Sequence, residues 1–256
     1  MRSVLVTGAA GGIGSHTARL LHARGWLVGC YDRDAVGAKE LASSLGAGAI
    51  GGRLDVTADD EWQAALAEVS TAAGGGLHAL VNNAGILASG LLVEMPMLDH
   101  ERQVAINLLG VITGARAAHP LLAATPGSVL VNVASASPVH GQPGLATYAA
   151  TKAAVRSLTE ALSLEWQGQV RVVDVLPMWV RTPLLAGAGG NAQLRHLGVR
   201  LTPDQVAAAI VRAVETPDRL KGPHRYVGGQ ARFFSLATRL APPTVSRTVV
   251  RLLAHR

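Results

Sequence analysis

Aromatic side chains are scarce: two Phe, three Tyr and four Trp in 256 residues. In a chain that is 49% hydrophobic, the core must therefore be assembled mostly from Ala, Val, Leu and Ile. Cores of that kind suit parallel sheets covered by helices. Cysteine is nearly missing too. With Cys30 alone, no disulfide can form within the chain. Cys30 lies in an apolar run and reads as a buried, inert thiol; a cytoplasmic location is expected. Charged residues are few, at 16%, yet the balance is +6. The excess is Arg, much of it near the C-terminus. The body has no dense Lys/Arg stripe with interleaved aromatics, which argues against a nucleic-acid partner. The His residues are scattered and no Cys/His/Asp cluster has ligand spacing, so no metal site is expected. No run reaches the ~18 uninterrupted apolar residues of a transmembrane helix. The apolar start is too short for a signal peptide and runs at once into glycines.

What is present alternates. Short β-like runs at 4–6, 27–31, 49–54, 77–81, 128–133, 170–176 and 225–227 are separated by helical stretches. The helices are expected at 13–23, 35–45, 59–72, 94–123, 147–166 and 203–215. Thr202 is a plausible N-cap for the last of these, with Pro203 at the first helical position. Strand–helix alternation with continuous apolar strands predicts an α/β fold: a doubly wound parallel sheet with helices on both faces, in one domain. The Gly/Ala-rich segment 184–200 breaks the alternation. It follows a strand's C-terminal end, where ligands bind, and is expected to be a lid.

The first strand leads into Thr7-Gly8-Ala9-Ala10-Gly11-Gly12-Ile13-Gly14 and then a helix. Glycines allow the tight turn and let backbone N–H groups approach a phosphate, which the helix N-terminus attracts. The strand before and helix after make this a Rossmann-type dinucleotide site. Asp32 ends the second strand, 24 residues after Gly8. A carboxylate there accepts hydrogen bonds from the adenosine ribose and repels a 2′-phosphate, favouring NAD. Arg33 follows directly and pulls towards NADP. Asp55, after the third strand, is either a loop or capping residue or a contact to the adenine amino group.

Tyr148 and Lys152 lie four apart in a helical stretch and share one face. A phenol of pKa about 10 is a poor base at neutral pH, and a nearby ammonium favours the phenolate. The pair makes Tyr148 a candidate general acid/base. Ser135 ends the strand at 128–133, where a hydroxyl can share charge developing on a substrate oxygen. Ser137, two residues on, satisfies the same chemistry.

With these motifs in order, the chain resembles the short-chain dehydrogenase/reductase (SDR) family over about residues 2 to 228. Thr7, Gly8, Gly12 and Gly14 match its Thr-Gly-x-x-x-Gly-x-Gly loop. Asn82-Asn83-Ala84-Gly85 matches its Asn-Asn-Ala-Gly element, and Tyr148-x-x-x-Lys152 its signature pair. Asn107 stands at the position of the family's catalytic asparagine. Ser135 lies thirteen residues before Tyr148, the family's spacing, which selects it over Ser137. The resemblance implies that Tyr148 moves the substrate proton and Ser135 positions the substrate oxygen. It implies that Lys152 binds the nicotinamide ribose and lowers the Tyr148 pKa, and that Asn107 holds a relay water. Ile13, Val56, Asn83, Ala84, Gly85, Pro177, Val180 and Thr182 join the cofactor set. The implied activity is hydride transfer between NAD (or NADP) and a lipophilic secondary alcohol or ketone. A non-catalytic nucleotide-binding regulator or scaffold is the alternative on the same fold.

The sequence also departs from the family. Met178 stands where the family has Gly after Pro177, and Asp174 where Asn is frequent. The expected pocket is Ser137, His140, Gln142, Leu145, Met178 and Trp179, with Leu184 and Leu185 from the lid. It is mostly apolar, as small-molecule sites are. The catalytic domain is expected over 1–230, followed by a basic extension over 231–256. There Val245, Val249, Leu252 and Leu253 form a helical stripe beyond Phe233, Phe234, Leu236, Leu240 and Pro242-Pro243. Arg247 and Arg251 lie on another face. Packing on the body, on another subunit of a homodimer or homotetramer, or on an anionic membrane are its three readings.

Overall fold

The computed structural model describes residues 1–136, 141–188, 198–216 and 222–240. Ser137, His140, part of the expected lid and the tail stripe beyond residue 240 lie outside these. The strands are β1 (Ser3–Thr7), β2 (Leu27–Asp32), β3 (Ala49–Arg53), β4 (Ala79–Asn82), β5 (Val129–Val133), β6 (Arg171–Pro177) and β7 (His224–Val227). They form one parallel sheet in the order β3-β2-β1-β4-β5-β6-β7. This is the doubly wound Rossmann-type arrangement expected from the alternation. The chain direction across the sheet reverses between β1 and β4, and ligand crevices form at such switch points.

The helices are α1 (Gly12–His22), α2 (Ala35–Leu45), α3 (Asp59–Ala73), α4 (Met97–Val104), α5 (Gly110–Ala123), α6 (Ala146–Glu165), α7 (Pro203–Glu215) and α8 (Gly228–Leu240). A π-turn over Ala105–Leu109 joins α4 to α5. Met97–Ala123 is long and apolar enough to cross a membrane by composition, but it packs on α3, α6, β4 and β5 as part of the sheet's cover. Thr202 caps α7 in a reciprocal box: its hydroxyl accepts from the Gln205 N–H, and Gln205 Oε1 accepts from the Thr202 N–H. Helix α8 runs across residue 230 without a break and buries Ala231 and Ser235.

The strand expected at 77–81 starts later. The Leu77 N–H is taken by Thr125 Oγ1, outside the sheet ladder. Side chains alternate along β1 as a strand requires. Val4 and Val6 join the core under α1, α2 and α7, while Leu5 joins the core under α3, α5 and α6. The second core holds two large, fully buried aromatics, Tyr31 and Trp62, and the Trp62 indole N–H donates to Val56 O at 3.0 Å. Gly114 makes room for the indole, since a Cβ there would stand 2.5 Å from Trp62 Cζ2 and Cη2.

Overpacking this contact tests the core. Gly114→Ala is expected to lose about 1–3 kcal/mol in urea denaturation. In a Trp62→Phe background the same change should cost less, because the two sites share one volume. Equal costs in both backgrounds would show that Trp62 does not fix the space.

Candidate active site

At the switch point, polar backbone must be satisfied without water. Thr7 Oγ1 accepts the N–H groups of Asn83 and Ala84, both at 3.0 Å. The Asn83 amide donates back to Thr7 O and Gly8 O at 2.9 and 3.2 Å. These bonds join the ends of β1 and β4. Gly8 sits at φ 66°, and a Cβ there would press on Asn83. A Cβ on Gly14 would run into Gly8 O, so the glycine lets α1 close onto β1.

A cleft of ≈ 350 Å³ opens along the carboxyl ends of the strands. One end is lined by Asp32, Arg33, Asp55 and Val56, the middle by Gly8, Gly12, Ile13 and Asn83-Ala84-Gly85. The far end holds Ser135, Tyr148, Lys152, Pro177, Met178, Trp179, Val180, Thr182, Leu184 and Leu185. Gly11, Ile86, Leu87 and Ile106 also line it and were missed by the sequence reading. Ile86 and Leu87 follow directly on the Asn-Asn-Ala-Gly element, a position that could have flagged them. Thr7, Gly14 and Asn107 stand behind the wall as supports. Gln142 and Leu145, expected in the pocket, are buried but do not line the cleft; Leu145 backs Tyr148 and Trp179.

The residues present fit a dinucleotide. The first turn of α1 has no acidic residue and no capping side chain, whereas α2, α3 and α7 each supply one or both. A Cβ on Gly11 would meet nothing within 4 Å, so backbone there faces open space. Asp32 is fixed at the β2 tip, its Oδ2 accepting from Ala10 N–H and its Oδ1 from Asp34 N–H, both 3.0 Å. Arg33 is exposed beside it. Asp55 is held by its own loop: Oδ1 accepts from Thr57 N–H and Oγ1 at 3.0 and 2.7 Å. Those bonds keep its carboxyl below the usual range.

The far end of the cleft is buried. Tyr148 is 7% and Lys152 5% exposed. Burial pushes Lys152 down to about 8, and its Nζ donates to Val133 O at 2.9 Å. Burial pushes the Tyr148 phenol up to about 12, with a Ser135 hydrogen bond pulling the other way. The net shift is thus opposite to the one expected from Lys152 alone, because both groups have lost water and desolvation dominates. Asn107 is wholly buried in the π-turn. Its Oδ1 accepts from Ile86 N–H at 2.8 Å and its Nδ2 donates to Ile86 O at 2.9 Å. Only Gly85 separates it from Lys152: a Cβ there would lie 3.1 Å from Asn107 Oδ1 and 3.6 Å from Lys152 Nζ.

Comparison with known proteins gives a consistent picture. The family model for short chain dehydrogenases matches residues 2–192. A 3-alpha-(or 20-beta)-hydroxysteroid dehydrogenase of Mycobacterium tuberculosis is 35% identical over 209 residues, covering 81% of this chain and 80% of that one. A cis-4-hydroxycyclohexanecarboxylate dehydrogenase of Sinomonas cyclohexanicum is 38% identical over 220 residues, covering 82% and 87%. A 3-ketoacyl-(acyl-carrier-protein) reductase from Brucella melitensis, crystallised with NADH, superposes with a TM-score of 0.83 at 29% identity. That match covers 90% of this chain and 98% of the reductase. The glycine-lined switch point, the buried Tyr148–Lys152 pair and these matches lead to one assignment: the chain belongs to the short-chain dehydrogenase/reductase family of NAD(P)-dependent oxidoreductases.

Proposed function

We propose that the chain interconverts a lipophilic secondary alcohol and its ketone, with NAD as the preferred dinucleotide and Tyr148 as general acid/base. The observation that carries this reading is the convergence of Ser135, Tyr148 and Lys152 at one end of a cleft whose middle is a glycine-lined helix N-terminus. The backbone around Gly12–Ile13 would hold the pyrophosphate, Asp32 the adenosine ribose, Lys152 the nicotinamide ribose and Thr182 the carboxamide end. Bound there, the oxidised nicotinamide supplies a hydride acceptor and a positive charge. Ser135 donates to the substrate oxygen and Tyr148 takes or returns its proton. Met178, Trp179, Leu87, Leu184 and Leu185 give the substrate end an apolar wall. That wall agrees with the hydroxysteroid and hydroxycyclohexanecarboxylate named for two relatives. Exposed Leu109 and Ile112 on the α4–α5 stretch and Leu164 on α6 support a homo-oligomer.

Turnover of hydroxysteroids and substituted cyclohexanols with NAD is the direct test. Tyr148→Phe is expected to lower kcat by about 10²–10⁴-fold with the cofactor still bound. Unchanged turnover would remove Tyr148 from the chemistry. Alcohol oxidation needs the phenolate, so its rate should climb with pH from 7 to 10. Ketone reduction needs the phenol, which predominates well below about 12, so its rate should stay nearly level from pH 7 to 10.

Two further outcomes follow. Lys152 binds fewer protons folded than unfolded between its folded pKa of about 8 and the ordinary 10.5. Stability of the cofactor-free protein should therefore rise with pH across that window. Lys152→Met should melt higher than wild type at pH 7 while losing activity, the gap narrowing above pH 8. Asp32→Ala should move the kcat/KM ratio towards NADP by roughly tenfold or more, about 1.4 kcal/mol. An unmoved ratio would take the selectivity away from Asp32.

A further inference from the structure

The helix that carries Tyr148 begins without a capping side chain. Leu145 stands at its N-cap and offers no side-chain oxygen, and the first turn holds no acidic residue. The opening N–H groups of a helix have no partner within it, so an uncapped first turn is weakly held by its own chain. Tyr148 sits in that turn. A general acid/base must nevertheless stay within hydrogen-bond reach of the substrate oxygen.

The start of α6 is held from the loop that follows β4. Gly144 O accepts from the Gly90 N–H at 2.9 Å, just before the helix. In the turn itself, Thr147 Oγ1 stands 2.6 Å from His100 Nδ1. His100, on α4, is 9% exposed, and its Nε2 stands 3.2 Å from Leu92 O. A carbonyl only accepts, so Nε2 donates, and Nδ1 of the neutral ring accepts from the Thr147 hydroxyl. One buried ring thus joins the first turn of α6 to the loop.

The same loop walls the cleft. Ile86 and Leu87 line it, and Leu87 packs with Leu145, Tyr148 and Trp179. Residues 86–92 form no strand, so their peptide groups need other partners. Side chains three and four residues apart supply them. Asn107 engages Ile86, Gln103 Oε1 accepts from the Ala88 N–H at 3.2 Å, and His100 engages Leu92 O. Asn107 also reaches α6, but at Thr151, one turn beyond Tyr148. His100 reaches the residue next to Tyr148. An apolar side chain at position 100 would fill the same space and hold neither partner.

We propose that His100 is a positioning residue for the proton transfer. Through Thr147 it fixes the first turn of α6, and with it the Tyr148 hydroxyl, against the loop that carries Leu87. His100 does not line the cleft, so it acts through Thr147 and not on the substrate or cofactor. The role rests on the dehydrogenase reading of the site.

The test uses the full chain with Thr147→Val, which keeps the shape and loses the hydroxyl, Thr147→Ser, which keeps the hydroxyl, and His100→Phe. Thr147→Val and His100→Phe should each lower kcat roughly tenfold with the KM for NAD unchanged, and Thr147→Ser should stay near wild type. The double variant should lose no more than His100→Phe alone, because both changes cut one tie. A merely structural role would lower the melting temperature and leave kcat per folded molecule unchanged. If His100→Phe does not fold, the two Thr147 variants still read the tie. A second measurement needs no turnover. The Ala149 N–H, which donates to Leu145 O at 2.8 Å and closes the first turn, should exchange its hydrogen about tenfold faster in cofactor-free Thr147→Val, with amides of α7 unaffected. Wild-type kcat in Thr147→Val would overturn the role, as would additive losses in the double variant or unmoved Ala149 exchange. If no alcohol is turned over by any form while the exchange still responds, the dehydrogenase reading fails and the tie from His100 to α6 stands.

Discussion

Two backbone N–H groups at the end of β4 donate to one oxygen, Thr7 Oγ1, and the site is built around that junction. β1 and β4 are neighbours whose connections leave in opposite directions, so the sheet must open just beyond residue 7. Opening a buried parallel sheet strands peptide groups where no water reaches, and each unpaired group costs free energy. The Thr7 hydroxyl and the Asn83 amide answer that demand from side chains. Once they do, Gly8 and Gly14 follow, since a Cβ at either would strike the atoms that close the junction. The glycine loop is thus as much a solution to sheet geometry as an opening for a phosphate.

Burial also governs the end of the cleft that holds Tyr148 and Lys152. Tyr148 and Lys152 are drawn towards their neutral forms, the phenol upward and the amine downward. A low-dielectric pocket penalises every uncompensated charge and strengthens every charge that arrives with a partner. At rest the pair is therefore poised for protonated tyrosine. A further positive charge at this end of the cleft is what would favour the phenolate, which couples proton transfer to occupancy of the cleft.

How legible this was in the sequence differs by element. The strands were readable because a sheet buried on both faces needs continuous apolar runs, and β1, β2 and β5 are short enough to exclude helices. α7 announced its start through Thr202 and Pro203, while the reciprocal bond from Gln205 emerged only in the structure. The π-turn at Ala105–Leu109 was not legible, because Ala-Ile-Asn-Leu-Leu has ordinary helical character and only packing shows the extra residue in the turn. Asp55 was left between two roles; the hydrogen bonds from Thr57 show the loop role while the residue still lines the cleft. Leu145 was one helical turn from Tyr148 in sequence, yet it faces Trp179 from behind. The tie from His100 to Thr147 could not be read at all, since forty-seven residues separate the two in sequence.

Met178 shows how far a single departure reaches. Where the resembling family has a hydrogen, this chain puts a thioether that is 8% exposed. It packs with Ala134 and Ala136 after β5, with Leu176 of β6 and with Ala231 of α8. Three of those neighbours are alanines, and the unbranched, flexible Met fills the space they leave. The residue therefore lines the cleft and packs in one cluster with Ala231 of α8 at the same time. Removing it would do more than widen the pocket. It would leave a gap beneath α8 that the surrounding alanines are too short to close, so pocket size and the seating of the C-terminal helix cannot vary independently.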